Sequence, residues 1–386
     1  MPIAPLHVAV NTRFLLPGAH LEGIGRFSFE TLSRLVARHP EVTFHFLFDR
    51  AFDARYLVGA NVVPHVLRPP ARHPFLFVAW FEGAVALWLA RHRPAAFLSL
   101  DGFTTLATAV SRVTVVHDLA FEHFPLDVGL LQRKYYHYFM PRFARASQQL
   151  VAVSEATKAD LVQTYGIAPA KISVAYNAPA ELFRPQPEEA QQETRRRFSH
   201  GQSYFLFVGA LQPRKNLGNL LRAFDLFKTV GGPAVAEAQL LIVGRKAWKA
   251  GPIFDAYQQM RHSAAVHFTG RVADAELAGL YAAARATVYV PYFEGFGIPI
   301  VEAQASGCPV LTSDVSSMPE VAGEGALLVD PQQPERIASG LARLWHEADL
   351  REQLVRKGRE NLSRFSWARS ADVLWEAVLR AMAEGQ

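Results

Sequence analysis

The stretch "EGFGIPIVEAQASG" (294–307) sets two carboxylates, Glu294 and Glu302, eight positions apart around Gly295, Gly297 and Pro299. Glycine lacks a Cβ, so backbone N–H groups there can crowd a ligand. Proline suits a first helical turn and glycine the position past the last, which predicts a helix from near Pro299 to Gly307. An acid in the first turn, Glu302, would complement the helix dipole; Glu294, in the loop, has no comparable structural task. The two read as anchors for the hydroxyls of a polyol, one at each end of an elongated ligand. Upstream, "FVGALQPRKNLGNLLRAFDLF" (207–227) places Arg214 and Lys215 just before Asn216, an N-cap candidate for a helix carrying Leu217, Leu220, Leu221, Phe224 and Phe227. Two fixed cations beside a helix N-terminus can hold a phosphate without a metal. A solvated basic turn accounts for the same residues equally well.

In the first half, "VTVVHDLAFEHFP" ends a strand on His117 and Asp118. Open α/β sheets form their sites at such strand ends, and Asp118 there could orient the imidazole of His117. A structural strand-end pair is the competing reading. "NTRFLLPGAHLEGIGRFSFE" (11–30) leads through Gly23 and Gly25 into a helix. Ten of the 14 histidines lie in the first half, but none form an HxxxH or HxH set, so no metal site is expected. The single cysteine, Cys308, reads as a small buried core residue of a reducing compartment.

These groups must be carried by something, and the chain alternates short apolar β-runs with longer helical patterns, the mark of parallel α/β architecture. Strands are expected at 6–10, 44–48, 95–100, 113–117, 150–154 and 172–176, then at 204–209, 239–244, 266–270, 286–291, 309–313 and 326–330. Between the two series, 177–203 is rich in proline and charge. The expected domains are 1–184, a linker at 185–203, a second domain at 204–364, and a C-terminal helix at 365–386 packing back on the first domain. A length of 386 residues with 50% hydrophobic and 19% charged suits two such cores. The apolar runs are shorter than a membrane span needs, and the N-terminus runs straight into a strand, so a cytoplasmic protein is expected.

As a set, several segments resemble the retaining family-4 glycosyltransferases of the GT-B fold. They are the E-x7-E pattern on its G-F-G-x-P loop, "PRKN", "SSMPEVAGEGALLVDP" (316–331), "HFTGRVADAELAGLYAAA" (267–284), "VSEATKADL" (153–161) and "YNAPAELF" (176–183). The resemblance runs in order along nearly the whole chain and leans to the mannosyltransferase-like branch. It implies two Rossmann-like, doubly wound parallel-sheet domains facing a cleft, the first binding the acceptor. It also implies a nucleotide-sugar donor, GDP- or UDP-linked, with no further cofactor and no metal. Glu302 would hold the ribose and Glu294 the donor-sugar hydroxyls. The amides of Gly295, Phe296, Gly297 and Ile298 would line sugar and diphosphate, and Val272 the base. Lys215 and Arg214 would neutralise the diphosphate; His117 would contact the transferred sugar; Gly25 would belong to the loop near diphosphate and acceptor. One departure stands out: an arginine common after the "VG" turn is Ala210 here.

The implied reaction is transfer of a hexose, mannose favoured, to a glycan or lipid-linked saccharide of a surface polysaccharide. UDP-glucose remains open as donor. A glycan phosphorylase would need a pyridoxal-phosphate lysine among Lys215, Lys228, Lys246, Lys249 and Lys357. A nicotinamide dehydrogenase would want a G-x-G-x-x-G that Gly23 and Gly25 do not complete. Nucleic-acid binding rests only on a pI near 9.3 and on "QRKYYHYFMPRFARA" (132–146), which an amphipathic helix explains as well. The first 184 residues hold 18 Lys+Arg against 13 Asp+Glu. With the apolar stretch 75–94, that balance would suit peripheral docking on the inner face of a membrane; an ordinary buried helix suits the same stretch.

Overall fold

The computed structural model describes residues 6–18, 21, 23–245 and 251–385, so Lys246, Lys249 and part of the 11–30 loop lie outside the described residues. The chain forms two compact units, Met1–Asn177 with Ser366–Gln386, and Ala178–Phe365.

The first unit is a seven-stranded parallel sheet of β1 (Leu6–Asn11), β2 (Val42–Phe48), β3 (Val62–Val66), β4 (Ala96–Ser99), β5 (Ser111–Val116), β6 (Gln149–Ala152) and β7 (Ile172–Val174). Their order across the sheet is 3-2-1-4-5-6-7. β4 and β6 are buried along their whole length, as strands covered by helices on both faces must be. β3 was not expected from the sequence. Its Pro64 cannot donate to a ladder, and the structure places it where that costs nothing, on the sheet edge.

A continuous helix, Pro74–His92, is by length and composition long and apolar enough to cross a membrane, longer than the sequence reading allowed. In this unit it buries Trp80, Phe81, Val85, Trp88 and Leu89 in the core, while Phe75 and Leu87 are exposed. The helix Trp367–Glu384 starts on Ser366, whose side chain accepts from the Arg369 amide. It lays Leu374, Ala377, Val378 and Ala381 against the first unit, with Trp367 edge-on to Phe27 at 6.0 Å.

The second unit orders β8 (Tyr204–Val208), β9 (Gln239–Val243), β10 (Val266–Gly270), β11 (Ala286–Tyr289), β12 (Val310–Ser313) and β13 (Ala326–Val329) as 10-9-8-11-12-13, again parallel. At the ends of β8 and β9 the backbones nearly touch. A Cβ on Gly244 would lie 1.8 Å from the Gly209 carbonyl oxygen, so only glycine fits. The segment expected as a linker is instead a helix of this unit over Glu188–Ser199. Glu188 and Glu189 in its first turn and Arg196 and Arg197 in its last suit the helix dipole. Its Thr194 packs on Gly279, and Arg195 donates to Ala283 O at 3.3 Å.

Candidate active site

In an open parallel sheet, ligands bind outside the carboxyl ends of the strands where strand order reverses. In the second unit that point lies between β8 and β11. The turn after β8 is a 3-10 turn, Pro213–Lys215, and the loop after β11 carries Glu294. Tyr292 N donates to Arg214 O at 2.9 Å, which ties the two loops together. Arg214 Nη1 and Lys215 Nζ both ion-pair with Glu294 Oε1, and Lys215 Nζ donates to Tyr289 Oη at 2.6 Å. The three side chains are 22%, 13% and 11% exposed, a cluster mostly out of water. Burial pushes the Glu294 carboxyl up, but the charges of Arg214 and Lys215 outweigh it, and the net shift is downward. Glu294 is therefore ionised between two cations. Burial, then the Glu294 charge, raises the Tyr289 phenol well above its ordinary value, so it stays protonated.

The Glu294 backbone is fixed too. Its carbonyl accepts from Ser316 Oγ at 2.7 Å and Ser317 Oγ at 2.8 Å, and Ser317 also reaches Phe296 O. Gly297 adopts φ +92° before the helix Ile298–Ala305, where a Cβ would come within 2.7 Å of the Met318 methyl. Gly295 and Phe296 are buried, and Ile298 is half-buried. Asn216 stands at the N-cap position of the helix Leu217–Gly231, but with φ 60° and no side-chain cap. It donates instead to Val290 O (2.9 Å) and Pro331 O (2.7 Å), holding the cationic turn to the β11 and β13 ends. Glu302 is not in the first turn of its helix, so the dipole reading fails. It is 6% exposed and accepts from Tyr281 Oη at 3.0 Å. Val272 is half-buried beyond the carboxyl end of β10.

In the first unit the switch point lies between β1 and β4, and the sequence reading missed what occupies it. Arg13, just past β1, donates through Nε to Asp101 Oδ2 at 2.5 Å, and its guanidinium lies 4.4 Å from the Phe103 ring centroid. Asp101 also accepts from the Phe103 amide at 3.1 Å. Tyr135 Oη and Thr104 Oγ1 are buried without a hydrogen-bond partner. His117 follows β5, its ring edge-on to Phe27 at 5.2 Å. Asp118 does not orient it: that carboxylate accepts from the Ala120 amide at 3.0 Å, closing its own turn. The Leu100 carbonyl does the orienting, 2.8 Å from Nε2. A carbonyl only accepts, so Nε2 carries the proton. Burial lowers the imidazole pKa against the raising effect of that bond, so the ring is neutral and Nδ1 is left as an acceptor. Gly25 lies inside the helix Gly23–Arg38, where a Cβ would come 2.9 Å from Phe14 O.

Two other expectations can be placed. Lys228 donates to the carbonyls of Val235, Ala236 and Ala238 at 2.9, 2.6 and 3.1 Å, a structural lysine. Lys357 pairs with Glu324. Cys308 is buried, its thiol pushed up to about 12 by burial. Among the described residues no cluster of three or more histidine, cysteine or carboxylate groups could hold a metal ion.

Residues 21–178 match the sequence profile of Glycosyltransferase Family 4, and 189–361 that of Glycosyl transferases group 1. The chain is 27% identical over 361 residues to O-antigen chain mannosyltransferase B of Escherichia coli, covering 90% of this chain and 93% of that protein. Its fold superposes with a TM-score of 0.75 on the crystal structure of WaaG, a glycosyltransferase involved in lipopolysaccharide biosynthesis, at 17% identity over 96% of this chain and 99% of that one. The Anabaena HepE structure in complex with UDP and glucose gives 0.72 at 16% identity, over 96% and 98%. With two parallel-sheet α/β units and both profiles matched in order, the chain belongs to the family-4 glycosyltransferases of the GT-B fold.

Proposed function

We propose that this transferase moves a hexose, mannose favoured, from a nucleoside-diphosphate sugar to a glycan or lipid-linked acceptor of a surface polysaccharide, with retention at the anomeric carbon. The observation that carries the reading is the pairing of Arg214 and Lys215 at the β8–β11 switch point, where both cations stand beside Glu294. Mannose is favoured because the Escherichia coli relative, alike over nine-tenths of this chain, is a mannosyltransferase. Glu302 would take the ribose hydroxyls, Val272 the base, and the amides of 295–298 the sugar and diphosphate. His117 Nδ1 would accept from a hydroxyl of the transferred sugar.

In the reaction, the bond from the anomeric carbon to the diphosphate oxygen breaks, and the acceptor hydroxyl attacks from the same face. Its proton passes to the departing phosphate oxygen. Negative charge grows on that oxygen, and preorganised cations stabilise it most where water is scarce. Arg214 and Lys215 supply two positive charges, so no divalent ion is required. The first unit would hold the acceptor, in the cytoplasm or peripherally at the inner membrane face, and neither a cofactor nor nucleic acid takes part.

A thermal-shift panel without added metal tests this, using GDP, UDP, ADP, their sugars and NAD⁺. A ligand bound only by the folded state raises the melting temperature by mass action. One nucleoside diphosphate should stand out and name the base; no response to any of them would sink the proposal. Transfer should also survive excess EDTA, and a loss reversed by Mg²⁺ would overturn the metal-free mechanism.

A further inference from the structure

The second unit has another concentration of positive charge, at the opposite, amino ends of its strands. A cavity of about 560 Å³ opens at the amino ends of the strands, beside Ser203 ahead of β8, Arg285 ahead of β11 and Pro309 ahead of β12. Each strand is about five residues long, so this end lies roughly 16 Å from Arg214 and Lys215. The charged side chains lining it are Arg195, Arg285, Arg351, Arg356, Arg359 and one acid, Glu352. Glu188, outside the lining, ion-pairs with Arg195 Nη2 at 2.5 Å, which leaves four arginines against the single acid in one concave space.

Three of the arginines are held by carbonyls at helix carboxyl ends. Arg195 donates to Ala283 O at 3.3 Å, Arg351 to Leu344 O at 3.0 Å and Trp345 O at 3.2 Å, and Arg285 Nη2 to Trp345 O. These bonds use one or two of the five N–H groups that each guanidinium offers. Arg285 and Ser306 line the cavity, and behind its surface Arg285 Nε and Ser306 Oγ are buried with no hydrogen-bond partner. Burial first, and the Arg351 charge second, lower the Arg285 pKa against the raising effect of the Glu237 charge. An anion in the cavity would be met by the exposed guanidinium groups of Arg356 and Arg359 and by the N–H groups the inner arginines have left over.

We propose that this cavity is a second ligand site of the enzyme, taking a compact soluble polyanion that bears phosphate groups. Its volume is that of a small-molecule pocket and suits a phosphorylated sugar or a nucleotide. It is built on the sheet that carries the cationic turn, so occupation would stiffen the amino ends of β8, β11 and β12. The site does not depend on which donor the enzyme uses.

The test is hydrogen exchange read by mass spectrometry on the full chain, with millimolar sodium pyrophosphate against sodium chloride of equal ionic strength. Pyrophosphate should slow exchange at least threefold in peptides covering 282–286 and 306–310. Arg356→Gln with Arg359→Gln should abolish that protection; both side chains are exposed, so the fold is kept. Any effect of pyrophosphate near 213–216 and 294–298 should persist in the double variant. In the unsubstituted chain, protection at 282–286 and 306–310 with none near 213–216 and 294–298 would count against the donor-site reading and leave this one standing. Protection confined to those segments, equal protection by sodium chloride, or an undiminished effect in the double variant would overturn the proposal. Phosphatidylglycerol vesicles form a third arm: protection by vesicles with none from pyrophosphate would mean a lipid surface, and would also overturn it.

Discussion

Lys215→Met tests the donor site where structure and proposed chemistry make separate demands. Lys215 Nζ meets Glu294 and lies 2.6 Å from Tyr289 Oη, with the lysine and glutamate side chains 13% and 11% exposed. Methionine keeps most of the apolar stem and deletes the charge. Breaking a fully buried ion pair costs about 3–5 kcal/mol because a charge is stranded. Here Glu294 keeps Arg214, and 22% exposure of that arginine admits water, so about 1–2 kcal/mol is expected in urea unfolding. With Lys215 gone, its charge and hydrogen bond no longer oppose burial, and the Glu294 pKa moves up. Donor binding should suffer more. Truncating one partner of a desolvated charge contact typically costs about 2–4 kcal/mol, roughly 30- to 1000-fold in Kd. Calorimetric titration with the nucleoside diphosphate selected by the thermal panel measures it. An affinity within threefold of wild type, alongside the stability loss, would make Lys215 only a counter-ion to Glu294 and refute its diphosphate role.

Tyr281→Phe removes the hydroxyl that donates to the buried Glu302 carboxylate. It should cost about 1.5–3 kcal/mol of stability and weaken nucleoside diphosphate binding while leaving free phosphate binding unchanged, as paired titrations would show. His45 sits in a row, 3.0 Å from His7 on one side and His65 on the other, and burial followed by those neighbours lowers its pKa to about 4. The folded state holds it neutral, so stability is full above about pH 6.5 and falls as pH drops toward 4. The loss is on the order of 1–2 kcal/mol after discounting for solvent access, and His45→Gln should flatten that slope in urea midpoints. Gly244→Ala would drive a Cβ into the Gly209 backbone and should destabilise by more than about 3 kcal/mol; a melting temperature near wild type would contradict that close approach.

What the sequence made legible is what short-range pattern encodes. Runs such as "YFLFVG" and "QLLIVG" are apolar on both faces and read as interior parallel strands, which they are, and the glycines around Glu294 marked the loop that follows β11. β3 escaped because Pro64 breaks the strand pattern, a penalty that only an edge position cancels. Arg13 and Asp101 are 88 residues apart, and neither carries a local signal. They meet because β1 and β4 are neighbours, which fold order alone could have indicated. The histidine row escaped for the same reason, since no spacing of 7, 45 and 65 looks like a cluster until the strands are paired. Glu302 was misjudged by counting from Pro299, when what matters is that its side chain turns inward to Tyr281.

The contacts of Glu294 bear on how the proposed donor site could exist empty. Arg214 and Lys215 beside each other, mostly out of water, would repel in a chain with no ligand, and such a turn would splay. Glu294 offsets that charge at the cost of its own desolvation, and its lowered pKa shows that the attraction exceeds the cost. The loop is also fixed by Ser316 and Ser317 through the Glu294 carbonyl, so the backbone need not move when the side-chain partners change. A diphosphate carries more negative charge than one carboxylate and can draw both cations to itself. In the proposed binding mode the carboxylate it displaces would then lie next to the bound sugar, with its lone pairs open to hydroxyls. On this account the acid preserves the cationic turn before binding and reads the sugar after it. Glu294→Gln should therefore lower the stability of the empty protein while binding free diphosphate at least as tightly as wild type.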